Sequence, residues 1–513
     1  MDSSQFRAAA HAAIDQVIDY YENIESQRVV SAVQPGYLRE IIPTTAPEQG
    51  EPWNAIQNDI TEHIIPGLTH WQSPNFLAFF PANSTYPGIL GELYSAAFTS
   101  ANFNWLCSPA ATELETIVLD WLCKLLSLPA CYLSTSSSGG GGVIQGSASE
   151  AIVTVMVAAR DRYLRRLAKD AKDDKEREKI IDEKRGKLVA LCSDQSHSST
   201  QKGCLIAGTK YRAIKVPRSS GNYGLTGATL RAALEAAKKD GLEPFYTTVT
   251  LGTTSTCAVD EFKEIAEVAR DWPELWIHVD AAYAGAALVR EEFQYLTEGM
   301  ERFDSFNMNM HKWLLTNFDC SCLFVKERKH LLDALSITPS YLRNEFSERG
   351  LVTDYRDWQI PLGRRFRALK IWFVMRTYGA EGLRNHIGNC LEVGKVFENL
   401  IRGREDLFTV FTTPSFGLTV FTVNPITGDQ KARNNLTKEV YEAVNADGEI
   451  FITSTIVDGT YAIRVVSGNP RIERRHLERA FEILVEKTNE IKAKGAHTPP
   501  IVDMENDLKG ISS

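Results

Sequence analysis

Apolar positions near the start of the chain recur at helical spacing. His11, Ile14, Val17, Ile18 and Tyr21 fall on one face, which predicts an amphipathic helical arm. A Pro/Thr/Glu/Gly stretch at 41–52 breaks the pattern and reads as a connector. Residues 69–88 are too rich in Trp and Phe for a solvent loop, and 111–128 return to helical periodicity. From about 133 a serine- and glycine-rich loop leads into a long apolar helix. Short apolar runs then alternate with helical segments. The runs 187–193, 203–208, 247–254, 275–281, 304–310 and 320–325 predict strands of a parallel sheet with helical crossovers. Residues 160–187 are densely charged in both signs and read as a solvated helical insertion. After about 380 the pattern becomes α+β, with strands at 416–423 and 461–468 and a helix at 476–493. The expected class is α/β. Its expected parts are an N-terminal helical arm (1–85), a large mixed or parallel-sheet domain (86–380) and a small α+β C-terminal domain (381–513).

Composition narrows the function. The 513 residues are 43% hydrophobic and 24% charged, as in soluble globular chains. Lys and Arg total 56 against 65 Asp and Glu, a net charge of −9. That balance disfavours nucleic acid and anionic membrane as partners. The Met1 end has no basic start and apolar core of a signal peptide, and no run of 18 apolar residues occurs. Nine scattered cysteines without a C-x-x-C pair fit buried thiols in a reducing compartment, so a cytoplasmic protein is expected. No metal site is expected: the ten histidines include no H-E-x-x-H.

Four local patterns carry chemistry. In DSFNMNMHKWLL, Lys312 lies between a strand and an apolar segment. Burying an ammonium is expensive, so a lysine there is either a Schiff-base lysine or one reaching out from a strand end. In LWIHVDAAYAG, Asp280 ends an apolar strand and small residues follow. That suits an acid facing a protonated ring nitrogen, and it equally suits a helix cap. Gly139 to Gly142 precede Gly146, Ser147, Ala148 and Ser149 at a helix start, a phosphate cradle without the P-loop lysine. His197 follows a strand in SDQSHSS, where an imidazole can stack on a planar group or shuttle a proton. Together, in this order within one α/β domain, they ask for a phosphorylated aldehyde with a protonatable ring: pyridoxal phosphate.

GSASEA, SDQSHSS, TLGTTSTC, HVDAAYAG, NMHKWLL and DYRDWQIPLGRRFRALKIW, in that order, resemble the pyridoxal-phosphate-dependent group II decarboxylases. More narrowly, they resemble the aromatic-L-amino-acid decarboxylases. The resemblance runs from about 10 to about 490. It implies fold type I, the aspartate aminotransferase-like fold, and a homodimer with active sites at its interface. It implies pyridoxal 5'-phosphate joined to Lys312, with Asp280 on the pyridine nitrogen and His197 stacked on the ring. Ser147, Ala148, Ser149, Asn309 and His311 would hold the phosphate end, with Thr254 and Ala282 near the ring. Trp71, Phe79, Phe80, Pro81 and Phe103 would line the substrate pocket. Tyr341, in a catalytic loop at about 336–352, would deliver the proton after carbon dioxide leaves. Tyr341 and His197 both imply amine rather than aldehyde as product. Gly363 implies a lean toward indolic, tryptophan-like substrates. Met310, Phe79 and Ala82 stand where relatives often have proline, tyrosine and threonine. The alternatives are a phenolic amino-acid decarboxylase, an aromatic aldehyde synthase, and a non-catalytic scaffold.

Overall fold

A computed structural model describes residues 1–219, 222–337, 345–348, 352–426 and 428–494. The main sheet has seven strands: β1 (Gly141–Gln145), β2 (Leu188–Ser193), β3 (Lys210–Ile214), β4 (Glu243–Thr250), β5 (Trp276–Asp280), β6 (Ser305–Asn309) and β7 (Ser321–Val325). Their spatial order is β1-β7-β6-β5-β4-β2-β3. Only β7 runs against the rest, antiparallel to both β1 and β6. The sheet is therefore mixed, and the remaining strands share one direction.

Both faces of this sheet are covered, which is why its strands read as continuous apolar runs. Val189 and Leu191 point into one core, and Leu188 and Ala190 into the other. The helix Ala148–Leu167 packs on the second face through Ile152, Val155, Met156 and Ala159.

Two expectations are corrected. The run at 203–208 is not a strand but the end of a helix, Ser199–Ala207. Gly203, Cys204 and Ala207 are buried at helical spacing while Leu205 is 81% exposed. A short apolar run has no periodicity of its own to separate the two states. β2 pairs with β4 on one side and with β3, KYRAI, on the other, and β3 is exposed or half-buried until Ile214. The glycine-rich loop also ends sooner than its composition suggests, because Gly141 and Gly142 already belong to β1.

The smaller sheet holds β8 (Phe408–Val410), β9 (Leu418–Val423), β10 (Thr453–Val457) and β11 (Thr460–Val466), ordered β10-β11-β9-β8 and wholly antiparallel. A long helix, Ala368–Arg402, crosses between the two sheets and bends at Gly379, where φ is +64°. The aromatic passage is tied to the small sheet. Val466 donates its N–H to Leu77, and Leu77 donates to Phe451.

The charged insertion contains the helix Asp174–Arg185, which buries no residue. The N-terminal helix Ser3–Asn23 buries only Ala9. Phe6, Ile14 and Val17 of its apolar face are exposed and border an apolar groove with Leu90 and Leu93. Among the described residues no helix is long and apolar enough to cross a membrane.

Candidate active site

Ligands in open α/β sheets bind beyond the carboxyl ends of the strands. Here those ends converge on a cavity of about 250 Å³. Thr250 ends β4, Asp280 ends β5 and Asn309 ends β6; all three line it. The turns after β1 and β2 add Ser147, Ala148, Ser149 and His197. Thr254, Ala282, His311, Lys312 and Phe80 complete the expected set, and Gly252, Tyr283 and Phe318 join them.

Lys312 sits in a single helical turn, Met310–Trp313, directly after β6. Burial lowers its pKa, and the field of Asp280 pulls in the opposite direction. An amine so placed is closer to its neutral, nucleophilic form than a surface lysine. Asp280 is itself buried, and one carboxylate oxygen accepts the Ala282 N–H at 3.0 Å. The other side of the carboxylate remains available to a ring N–H.

Both cavity histidines are fixed as neutral tautomers. The backbone N–H of Ser199 donates to His197 Nδ1 at 3.1 Å, so the proton of that ring lies on Nε2. Cys320 N–H does the same to His311 Nδ1 at 2.8 Å. Burial lowers both pKa values, that of His311 to about 3. Ser147 caps the helix Ala148–Leu167, its hydroxyl accepting the Glu150 N–H. The first-turn N–H groups of this helix have no acceptor within the helix and suit an anion.

Aromatic rings form the remaining wall. Phe80 stacks on Tyr283 at 3.8 Å between centroids, and Tyr283 on Trp313 at 4.6 Å. Tyr283 and Phe318 were not singled out from sequence, and only the position of Tyr283 beside the Asp280 strand end could have signalled it.

Five expected pocket residues stand outside the cavity. Trp71 and Phe79 stack on one another at 5.7 Å, in a layer with Phe76. The backbone of Phe79 is left-handed, φ 55°, and it is 45% exposed while Phe80 next to it reaches the cavity. Pro81 is buried against Gly468. Phe103 meets the 354–364 segment, its carbonyl accepting the Arg356 N–H at 3.0 Å. Gly363 is exposed, with nothing within 4 Å of where a Cβ would stand. Tyr341 lies outside the described residues.

The cavity fits pyridoxal phosphate on its own evidence. A half-buried amine and a buried acid face one space beside a helix start, and Asn309 Oδ1 and Thr250 Oγ1 are buried there without a hydrogen-bond partner. Buried polar atoms left unpaired are costly, so these point to an absent polar ligand. Among the described residues no cluster suits a metal.

Comparison with known proteins agrees. Residues 35–424 match the family model described as the pyridoxal-dependent decarboxylase conserved domain. Tryptophan decarboxylase 2 of Oryza sativa subsp. japonica is 43% identical over 496 residues, covering 96% of each chain. Phenylacetaldehyde synthase of Arabidopsis thaliana is 44% identical over 491 residues, covering 95% of this chain and 97% of its own. The crystal structure of Oryza sativa TDC with PLP and tryptamine superposes with a TM-score of 0.90 at 38% identity, covering 96% of this chain and 99% of that one. With the fold, the cavity and these matches in agreement, the chain belongs to the pyridoxal-dependent decarboxylase family and has the fold of its type I members.

Proposed function

We propose that this protein decarboxylates aromatic L-amino acids to aromatic amines and carbon dioxide, with a preference for indolic, tryptophan-like substrates. The observation that carries the reading is the aromatic wall, Phe80, Tyr283 and Phe318, beside the Asp280–Lys312 pair. A flat ring is matched by such a wall, whereas an acidic substrate side chain calls for cations. A tryptophan decarboxylase among the relatives supports the indolic preference.

Pyridoxal phosphate, the family's cofactor, supplies an electron sink for the bond that breaks. In this reading Lys312 attaches it, and Asp280 keeps its ring nitrogen protonated. Ser147, Ala148, Ser149, Asn309 and His311 hold its phosphate end, and Thr254 and Ala282 flank the ring. His197 covers the ring face, with the proton on its Nε2 within the site. Preorganised charge of the Asp280 kind is usually the largest catalytic contribution. Tyr341 would supply the proton to the substrate's α-carbon, and Lys312 would hold the cofactor between turnovers. Trp71, Phe79, Pro81, Phe103 and Gly363 form the outer substrate surface.

The same reading includes a homodimer. The exposed apolar face of Ser3–Asn23 and the groove it forms with Leu90 and Leu93 call for a cover, and a second copy supplies one. Nine unpaired cysteines support a cytosolic setting.

The test is turnover of tryptophan, 5-hydroxytryptophan, tyrosine, phenylalanine and dopa with added cofactor, reading amine and carbon dioxide. Amine from the indolic members above the others is expected; no amine from any of them overturns the proposal. The relative named a phenylacetaldehyde synthase makes the product itself informative. Tyr341→Phe is expected to divert product toward aldehyde, ammonia and hydrogen peroxide at the expense of oxygen. Amine alone from that variant removes Tyr341 from its role.

A further inference from the structure

β1 lies at the edge of the seven-stranded sheet, where backbone groups lack a neighbouring strand. At Ile144 this edge is closed by an ion pair. The Ile144 N–H donates to Glu115 Oε1 at 2.9 Å, and Arg364 Nη2 donates to the Ile144 carbonyl at 3.2 Å. Arg364 also grips Glu115 with both ends of its fork, at 2.9 and 2.6 Å. The two side chains are 2% and 3% exposed. Carboxylate and guanidinium thus take the two hydrogen bonds that a further strand would make.

The pair joins three separate pieces of chain. Glu115 belongs to the helix Pro109–Leu125. Arg364 follows Gly363; its Nε donates to Gln359 Oε1 at 2.7 Å and its backbone N–H to the Ala101 carbonyl at 2.7 Å. Gln145, next along β1, donates from Nε2 to the Trp358 carbonyl at 3.2 Å. Three residues after Ile144 comes Ser147, where the cavity's helix start begins.

We propose that Glu115 and Arg364 are positioning residues for the cofactor's phosphate end. They stand in for the missing strand at Ile144 and so fix the turn Gly146–Ser149 at the cavity. A buried pair is a poor source of net stability, and apolar residues of similar volume often replace one at no cost. Its use here is the geometry it imposes on β1. The inference rests on the function proposed above for the identity of the anion.

The experiment titrates purified apoprotein with pyridoxal 5'-phosphate, following absorbance, with a thermal melt beside it. Wild type is expected to bind; failure to bind refutes the reading of the site itself, before any variant is examined. The double variant Glu115→Met/Arg364→Met leaves the Ile144 N–H and carbonyl without partners and is expected to melt several degrees below wild type. Its Kd for the cofactor should be about tenfold higher, since a misplaced backbone cradle loses its aim. An unchanged Kd overturns the proposal whatever the melt does, because a merely structural pair lowers the melt and leaves cofactor binding alone. Should the double variant not fold, Arg364→Lys keeps the cation but cannot fork between Glu115 and Ile144. A Kd raised about threefold or more is then expected, and an unchanged one overturns the proposal.

Discussion

Asp280 at the end of β5 and Lys312 in the turn after the adjacent parallel strand β6 face one cavity, and the carboxylate opposes the fall in the lysine pKa that burial causes. The arrangement follows from register. Asp280 pairs with Asn307, so the turn after β6 must carry Lys312 past the end of β5. Lys312→Ala is expected to lower turnover roughly a thousandfold or more. Borohydride should no longer fix the cofactor to the chain. The apoprotein should melt no lower than wild type, because a buried ammonium costs stability in an empty site. Near-normal turnover would remove Lys312 from the chemistry, and a large drop in melting temperature would make it structural.

Stability should fall as pH drops below about 6.5. Burial lowers the pKa of His278 and His386 to about 4 and of His311 to about 3. All three stay neutral in the fold while the unfolded chain takes up protons below about 6.5. Their contribution is therefore complete above that pH and is lost as pH falls toward the folded values. Asp260 has the opposite sign, since burial raises it to about 7 and the fold holds its proton longer. It opposes one of these three, while His70, His197 and His330, also lowered by burial, add to the decline. Each net proton is worth roughly 1.4 kcal/mol per pH unit. Denaturant melts at pH 7, 6 and 5 would show the decline; a flat profile would mean that the histidines protonate within the fold.

The strands at the centre of the sheet were legible because both of their faces are buried, leaving unbroken runs such as LWIHV and SCLFV. Strand-end chemistry was legible for a related reason. Asp280, Asn309 and Lys312 interrupt apolar sequence at points where a polar group needs a purpose. β3 was not legible, since this edge strand is mostly exposed or half-buried and carries Lys210 and Arg212 where an unbroken apolar run would mark a strand. The 69–88 passage announced an aromatic surface without saying which ring turns inward. The left-handed backbone at Phe79 decides that, sending Phe80 to the cavity, and no spacing rule encodes a positive φ in a phenylalanine. The edge-closing pair Glu115–Arg364 joins residues far apart in sequence, and nothing local to either one marks it.

The charged insertion is held by one acid and by Ile181, which packs half-buried against the second core. Glu243 accepts Lys184 Nζ at 2.6 Å, the Tyr163 hydroxyl at 2.9 Å, and Lys238. Burial alone would raise its pKa, and the bonds from Lys184 and Lys238 overcome this and lower it to about 2. Lys184 lies in the last turn of Asp174–Arg185, a helix with no fully buried residue. Glu243→Gln is expected to cost about 1–3 kcal/mol. Trypsin should then cut faster within 174–185. Lys179→Ala, at a residue 74% exposed on the same helix, should change neither.

Gly363→Ser separates selectivity from stability. Gly363 is exposed and its backbone is not left-handed, and a Cβ there would meet no atom within 4 Å. The next residue, Arg364, is anchored to Glu115, so the backbone cannot shift to accommodate a new side chain. The substitution should cost less than about 0.5 kcal/mol and leave the melt unchanged. On the proposed function, which places Gly363 on the outer substrate surface, an added side chain there crowds an indole and offers a hydrogen bond to a phenol. The ratio of kcat/KM for tryptophan to that for tyrosine should therefore fall roughly tenfold, the scale on which one polar group discriminates. Steady-state assays of both substrates on both proteins measure it. A ratio that stays constant while the melt stays constant would place Gly363 away from the substrate altogether, because neither strain nor misfolding is left to mask an effect.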